Sequence, residues 1–584
     1  MTKEARHNRL ERLKKNASPT VLIVGGGING ISLYRELVLQ GVDVVLVERS
    51  DFCVGASAAL SRMVHGGLRY MEQGDFKLVR EAIQERNRLL KNAPHYVFPL
   101  ATTIPIFQVF SGVTNSIKKF LGLSDKPSRR GALIIKVGLA LYDLFTKKDR
   151  IMPAHKFHTR ADTLHNWPDF PNNVLLSATY YDAWITYPER LGLELISDME
   201  EFEDTAQAFN YLEVLEVRQG KVTLKDKIID QTIEIQPDIV VNATGAWVDF
   251  TNGRLKGRDE DYIKNKTSFV GGTKGSHLIV RNDELFNALG DHMVYYENKD
   301  GRVCILFRYF GNVLVGSTDL KIDDPDQVRC EEAERDYILS SLAFVFPDIN
   351  ITPEQILYRF SGVRPLVNSV SSVTGQISRE HYCEILPASD IQSFPIISLI
   401  GGKWTTFRAF GARAADQVLE ILGRERKVST VDMEIGGGKD HPVKQIAKDQ
   451  WISSHAKALK IPVKRLQELL DRYGTKALEF AATVNQEKDC PLANHSKYSV
   501  AEIRHIVRNE RVETLGDIIF RRTALAISGE INTALIDEIL EILSKEKNWD
   551  SNRKSKERQD LFSCFSHFHG LTEADLSNRQ PIRE

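Results

Sequence analysis

The sequence predicts an α/β protein, α+β overall, in which a nucleotide-binding domain is interrupted by a β-rich domain and followed by an α-helical C-terminal one. Three observations carry this reading. A strand, a glycine turn and the start of a helix follow one another over Val21–Gly30. A second apolar strand with a small-residue turn, Asp238 to Trp247, returns about 200 residues later. From about residue 431 the strand-like runs give way to helical periodicity. A chain of 584 residues also exceeds what one core supports, so two or three domains are expected.

In chain order, residues 1–18 read as a charged N-terminal extension, a frayed helix. Residues 19–430 form the nucleotide-binding region with its inserted β-rich domain. Val21–Val24 is apolar throughout, as a buried parallel strand requires. Gly25, Gly27 and Gly30 supply the G-x-G-x-x-G spacing: the first for the turn, the second for close approach of a pyrophosphate, the third for helix–strand packing. The phosphates would sit at the helix N-terminus, where unpaired N–H groups favour negative charge. A second strand, Val42–Val47, ends in Glu48, 18 residues after Gly30, where an acidic residue accepts from a ribose hydroxyl. A helix over Asp75–Lys91 stops before Pro94.

Residues 106–150 stand apart. Apolar side chains alternate there with nine basic residues (Lys118, Lys119, Lys126, Arg129, Arg130, Lys136, Lys147, Lys148 and Arg150) against Asp125, Asp143 and Asp149, a local net of +6. Strands are then expected at Val174–Tyr181, Asp238–Ala243, His277–Val280, Val303–Phe307 and Val313–Gly316. Residues 431–546 read as a separate helical domain with helices at Val443–Ala458, Val463–Tyr473, Val500–Asn509, Gly516–Ile527 and Asn532–Lys545. The remainder, 547–584, is a polar tail, loosely held, with Leu561–Phe568 its one apolar stretch.

Composition narrows the function. At 42% hydrophobic and 27% charged residues the chain is that of a soluble globular protein, and a net charge of −1 argues against nucleic acid as a partner. Six scattered cysteines show no C-x-x-C spacing, which gives neither a metal site nor a disulfide framework and suits a reducing cytosol. The first twenty residues lack the apolar core of a secretory signal, and no apolar run approaches the ~20 residues of a membrane span.

The glycine turn alone does not choose between NAD and FAD. Two further turns do. Val241-Asn242-Ala243-Thr244-Gly245 ends a strand with small residues, and Gly401-Gly402-Lys403-Trp404-Thr405-Thr406 places glycines between a strand and a helix. Both let backbone approach a flat ligand, and in this order they favour FAD in a Rossmann-like domain.

With these residues in view, the chain resembles the FAD-dependent glycerol-3-phosphate dehydrogenases of the aerobic, quinone-linked type, as a somewhat divergent member, from about residue 19 to 545. The resemblance rests on Gly25–Gly30, Val64-His65-Gly66-Gly67-Leu68-Arg69-Tyr70, Lys274-Gly275-Ser276-His277, Gly316-Ser317-Thr318-Asp319, Phe360-Ser361-Gly362-Val363-Arg364-Pro365-Leu366, Ile377-Ser378-Arg379 and the two turns above; Tyr498–Glu510 and Asp517–Arg522 resemble the family's helical cap. It implies oxidation of glycerol 3-phosphate by hydride transfer to FAD. It implies a cofactor set of Gly25, Gly27, Gly30, Glu48, Ser57, Ser61, His65, Gly66, Thr244, Gly245, Gly402, Lys403 and Thr405. Substrate would be held by Arg69, Tyr70, Arg364, Arg379 and Lys403, with His65, His277 and Arg364 catalytic. The chemistry fits these types: an arginine fork meets phosphate oxygens bidentately, and either histidine has a suitable ordinary pKa for taking the hydroxyl proton.

Two departures bear on the substrate. The family's Asp-Asp-Ala-Arg-Leu region here reads Tyr181-Asp182-Ala183-Trp184-Ile185 followed by Thr186-Tyr187-Pro188-Glu189-Arg190-Leu191, and the family's lysine before His-Gly-Gly is Arg62, preceded by Leu60. Another polyol phosphate such as erythritol phosphate, an amino acid, or oxygen as acceptor stays open, as does a non-catalytic flavin-binding scaffold. The resemblance also implies a membrane quinone as acceptor and a place on the cytoplasmic face of the membrane. The 106–150 insert is then either the contact with an anionic membrane surface or a solvated basic face. A homodimer is left open.

Overall fold

The computed structural model describes residues 6–67, 75–108, 132–146, 151–203, 206–257, 269–322, 324–368, 380–390, 392–487 and 489–581. The nucleotide-binding sheet runs Tyr382–Leu386, Ile396–Ile400, Ile239–Asn242, Val21–Val24, Val44–Val47, Gln207–Phe209. All neighbours are parallel except the first pair. Every position of Val21–Val24 is buried because both faces are covered. Val21 and Ile23 join Val44, Leu46, Ile239 and Val241 against the helices Ile28–Leu39 and Phe407–Ile421. Leu22 and Val24 face the other way, onto a three-stranded sheet, Leu212–Arg218, Lys221–Asp226 and Gln231–Ile235. The described part of the N-terminal segment is a docked helix, not a frayed one. Its helix Arg6–Lys15 buries Leu10 and Leu13 in the same layer, and Arg6 Nε donates to Asp226 Oδ2 at 2.8 Å.

The inserted domain is a long mixed sheet ordered Leu320–Lys321, Thr273–Val280, Asn312–Gly316, Val303–Tyr309, His292–Glu297, Val97–Ile106, Leu176–Ile185, Met63–Val64, with Ile356–Arg364 also pairing with Thr273–Val280 and Lys156–His158 with Leu176–Ile185. The five strands expected in this part of the chain and the nucleotide sheet are all present, with ends moved by a few residues.

The helical region packs closely on the inserted sheet. Val463–Tyr473 and Val500–Asn509 are helices with the expected bounds, and their buried faces share one apolar core with the long sheet. Ile279, Ile305, Phe307, Leu357 and Phe360 from strands lie in the same cluster as Leu466, Leu469, Ile503, Ile506, Leu535 and Ile539 from helices. The segment expected as a helix over Gly516–Ile527 is helical only in its first part, an α-helical turn at Leu515–Asp517 that widens into a π-helical turn at Ile518–Arg522. That turn aims two arginines at Asp51: Arg521 Nε donates to Oδ2 at 2.5 Å and Arg522 Nη2 to Oδ1 at 3.0 Å, all three residues being buried or nearly so. Burial opposes ionisation of Asp51, yet the two guanidinium groups hold its carboxyl well below the usual carboxylate range.

The tail is not loose either. Ser551–His569 is a helix capped by Asp550, and Leu561, Phe562 and Phe565 enter the shared core. His569 stacks on Tyr358 with centroids 4.4 Å apart and its Nδ1 meets Arg359 O at 2.9 Å. Among the described residues no helix is long and apolar enough to cross a membrane.

Candidate active site

A cleft of about 1250 Å³ opens where the two large sheets meet, and it collects three glycine turns separated by hundreds of residues. The strands Val21–Val24, Ile239–Asn242 and Ile396–Ile400 lie side by side, so their carboxyl ends deliver Gly25, Thr244–Gly245 and Gly401–Gly402 to one edge, the usual place for a dinucleotide in such sheets.

The turns leave no room for side chains. Gly25 has φ +114°, and a Cβ there would lie 2.7 Å from Ala243 O. A Cβ on Gly30 would lie 2.0 Å from Gly25 O, so the third glycine lets the helix close on the turn. Gly402, at φ +97°, would strike Asn29 Nδ2 at 2.3 Å; that same amide donates to Gly401 O at 3.1 Å and ties the third turn to the first. Ser57 Oγ accepts from Ile28 N at 3.0 Å, and Trp404 Nε1 donates to Ser57 O at 3.0 Å. Thr244 Oγ1 donates to Asn242 Oδ1 at 2.6 Å. Glu48, expected to meet a ribose, uses its carboxylate to hold the turn: Oε2 accepts from Gly26 N at 2.7 Å and Oε1 from Ser50 N at 2.9 Å. Burial pushes its pKa up, and the two amides pull against that. It still lines the cleft, as do Gly25, Gly27, Ser57, Ser61, His65, Thr244, Gly245, Gly402, Lys403 and Thr405. Gly30 and Gly66 do not; both serve close packing behind it. A steric cradle of this kind, with a hydrogen-bonded acid beside its first turn, fits an FAD.

The opposite wall comes from the long sheet. Arg364 ends the strand Ile356–Arg364, and Gly275 across the pair makes room for its guanidinium: a Cβ there would lie 2.1 Å from Nη2. Arg364 Nη1 donates to Asp319 Oδ1 at 3.0 Å and Nη2 to Ser317 Oγ at 3.1 Å, so the Gly-Ser-Thr-Asp run fixes the fork. His277 lies on the neighbouring strand, stacked on Phe360 with centroids 5.0 Å apart, and its Nε2 shares a 2.7 Å hydrogen bond with Ser61 Oγ. Gly316 gives the ring its space. Burial first, then Arg364 and Arg62, lower the His277 pKa to about 3, so the imidazole is neutral at physiological pH. Among the described residues its Nδ1 has no hydrogen-bond partner.

Arg69, Tyr70 and Arg379 lie outside the described residues. Several cleft residues were not foreseen. Arg521, Phe520, Phe568 and His569 come from the helical region and the tail, whose reach to the cleft no periodicity announces. The two sequence departures turn out to be partners: Arg62 and Glu189 form a buried bidentate ion pair, Nη1–Oε2 2.9 Å and Nη2–Oε1 2.8 Å, with both residues on the cleft wall.

Comparison with known proteins agrees with this geometry. Residues 20–408 match the family described as FAD dependent oxidoreductase, and residues 428–554 match the C-terminal domain of alpha-glycerophosphate oxidase. The chain is 29% identical to a glycerol-3-phosphate dehydrogenase of Synechocystis sp., covering 93% of this chain and 96% of that one. It is 27% identical to the aerobic glycerol-3-phosphate dehydrogenase of Bacillus subtilis, covering 93% of both. It is also 25% identical to the D-erythritol 1-phosphate dehydrogenase of Brucella abortus, over 86% of this chain and 93% of that one. In fold it matches the glycerol-3-phosphate dehydrogenase of Bacillus halodurans complexed with FAD, at a TM-score of 0.72 and 22% identity over 97% of this chain and 98% of that one.

Proposed function

Since the chain belongs to the FAD-dependent glycerol-3-phosphate dehydrogenase family, we propose that it oxidises sn-glycerol 3-phosphate to dihydroxyacetone phosphate and passes the electrons to a membrane quinone. FAD is its cofactor, and when bound it supplies the hydride-accepting ring. The observation that carries the substrate reading is the Arg364 fork, fixed by Asp319 and Ser317 and opening on the same cleft as the three turns. A planar guanidinium so held suits a phosphate dianion. His277, neutral and on the adjacent strand, takes the hydroxyl proton in this reading, with Ser61 fixing Nε2; His65, which also lines the cleft, is the other base. The cofactor residues are those of the three turns, and Lys403 joins Arg364 in holding substrate, together with Arg69, Tyr70 and Arg379.

Anaerobic bleaching of the flavin tests the substrate. Glycerol 3-phosphate is expected to reduce it faster than erythritol phosphates or D-amino acids; no reduction by glycerol 3-phosphate sinks the reading, and preferential reduction by an erythritol phosphate moves the substrate to that relative's class. The pH profile separates the two histidines. With His277 as base, kcat/KM for flavin reduction is expected to stay level as pH falls through 6.5, because that ring protonates only near 3. An acidic limb that His65→Asn abolishes would give the role to His65.

For the membrane, support comes from the described part of the insert. In the helix Ala132–Thr146, Leu139 and Tyr142 pack inward while Leu133, Val137 and Leu141 form an exposed stripe, Val137 at 54% exposure. Most of the insert's basic residues fall outside the described residues. Charge reversal at Lys118, Lys119, Arg129 and Arg130 is expected to release the protein from anionic liposomes; unchanged binding would remove the insert as the contact.

A further inference from the structure

The helix of the insert is wired to the loop that carries His65. The Asp182 carboxylate, 1% exposed, gathers three donors on Oδ1: Gly66 N at 2.7 Å, Arg86 Nη1 at 3.0 Å and the Tyr142 hydroxyl at 3.1 Å. Arg86 in turn donates to the Tyr142 hydroxyl, which closes a buried triangle. The Tyr142 oxygen also presses against the loop itself, since a Cβ on Gly66 would lie 2.1 Å from it. Gly66 is therefore held from two sides, by the hydrogen bond its N–H donates to Asp182 and by contact with the tyrosine, and His65 is the residue just before it. Arg86 comes from the helix Phe76–Asn92, Asp182 from the strand Leu176–Ile185 and Tyr142 from the insert helix, so three elements converge on one backbone amide.

We propose that Tyr142 is a positioning residue: its hydroxyl, through Asp182, fixes the Gly66 backbone and with it the placement of His65 in the cleft. Asp182 and Arg86 complete the brace. A loop residue that handles a proton must be held to a fraction of an ångström, and a side chain two shells away sets that placement through the hydrogen bond it contributes. The chain uses a tyrosine of the insert for this, so docking of that helix and geometry of the cleft are one event. The inference rests on the reading of His65 as a residue that touches substrate or flavin.

Tyr142→Phe in the full-length holoenzyme tests it, because the ring remains to fill its site and only the hydroxyl leaves. Expected are wild-type flavin content and unfolding temperature, a half-saturation for glycerol 3-phosphate within about twofold of wild type, and a maximal flavin-reduction rate lowered about tenfold. In a His65→Asn background the same change is expected to have no further effect on the rate. An equal loss in both backgrounds, an unaltered rate, or loss of flavin with a fall in stability overturns the proposal. A silent His65→Asn overturns it too, while leaving the dehydrogenase reading with His277. One arm needs no substrate: amide exchange of the peptide carrying Gly66 is expected to quicken about tenfold in Tyr142→Phe. Wild-type exchange there overturns the proposal even where glycerol 3-phosphate proves not to be the substrate, and quickened exchange without flavin reduction in the wild type faults the substrate alone.

Discussion

Replacing Asp51 with alanine is expected to destabilise the folded protein by about 3–5 kcal/mol, the usual cost of stranding a buried ionic partner. Here two partners are stranded. Arg521 and Arg522 both point at this carboxylate, and Asn210 Nδ2 adds a 2.9 Å hydrogen bond. Both arginine pKa values stand above the ordinary: burial works against the charge, and Asp51, with Asp517 beside it, outweighs that. The alanine variant would therefore hold two guanidinium groups out of water with their main acceptor gone. The loss should also reach the flavin, because Asp51 sits two residues before Cys53, whose amide donates to Gly26 O at 2.9 Å. Urea unfolding and the ratio of flavin to protein absorbance check this. A shift below about 1 kcal/mol, with full flavin content, would mean that water or a rearranged neighbour takes over the arginines.

Arg364→Ala is expected to weaken glycerol 3-phosphate binding at least a hundredfold while leaving FAD bound. Two charge-assisted hydrogen bonds at roughly 1.5–3 kcal/mol each set that scale. Arg364→Lys should recover little of it, since an ammonium keeps the charge and loses the fork. Titrating the resting flavin spectrum with substrate measures the affinity directly. If the variant is purified without flavin, the residue braces the cofactor wall and the substrate site must be sought elsewhere.

The parts of the fold that were legible in the sequence are those where sterics or periodicity act locally. Gly25, Gly30 and Gly402 could be read because a Cβ has no place in those turns, a constraint that leaves glycine as its signature. Val463–Tyr473 and Val500–Asn509 could be read because each has one apolar stripe. What that stripe packs against is a different matter. Periodicity says that a face is buried and not by which partner, so the core that these helices share with the long sheet could not be read from it. The three-stranded sheet escaped notice for a related reason: Gln231–Ile235 buries only Ile233 and Ile235 and reads as polar. Within the site, residue types and motifs located His277 and Arg364, but not the burial that keeps the imidazole neutral. Arg62 and Glu189 each looked like a departure from pattern, and only the structure shows that they are one buried ion pair across 127 positions.

The shared core has a consequence for how the molecule comes into being. A chain whose first strand, Val21–Val24, begins the cofactor cleft and whose helix Ser551–His569 finishes it spans nearly the whole sequence with one pocket. Contacts of such separation pay their loop-closure entropy late, so the part of the cleft wall that Phe568 and His569 form is complete only once the C-terminal helix has docked. A chain cut short before Phe565 would leave uncovered the apolar surface that Leu561, Phe562 and Phe565 help to bury, which is the kind of surface that makes incomplete chains prone to aggregate.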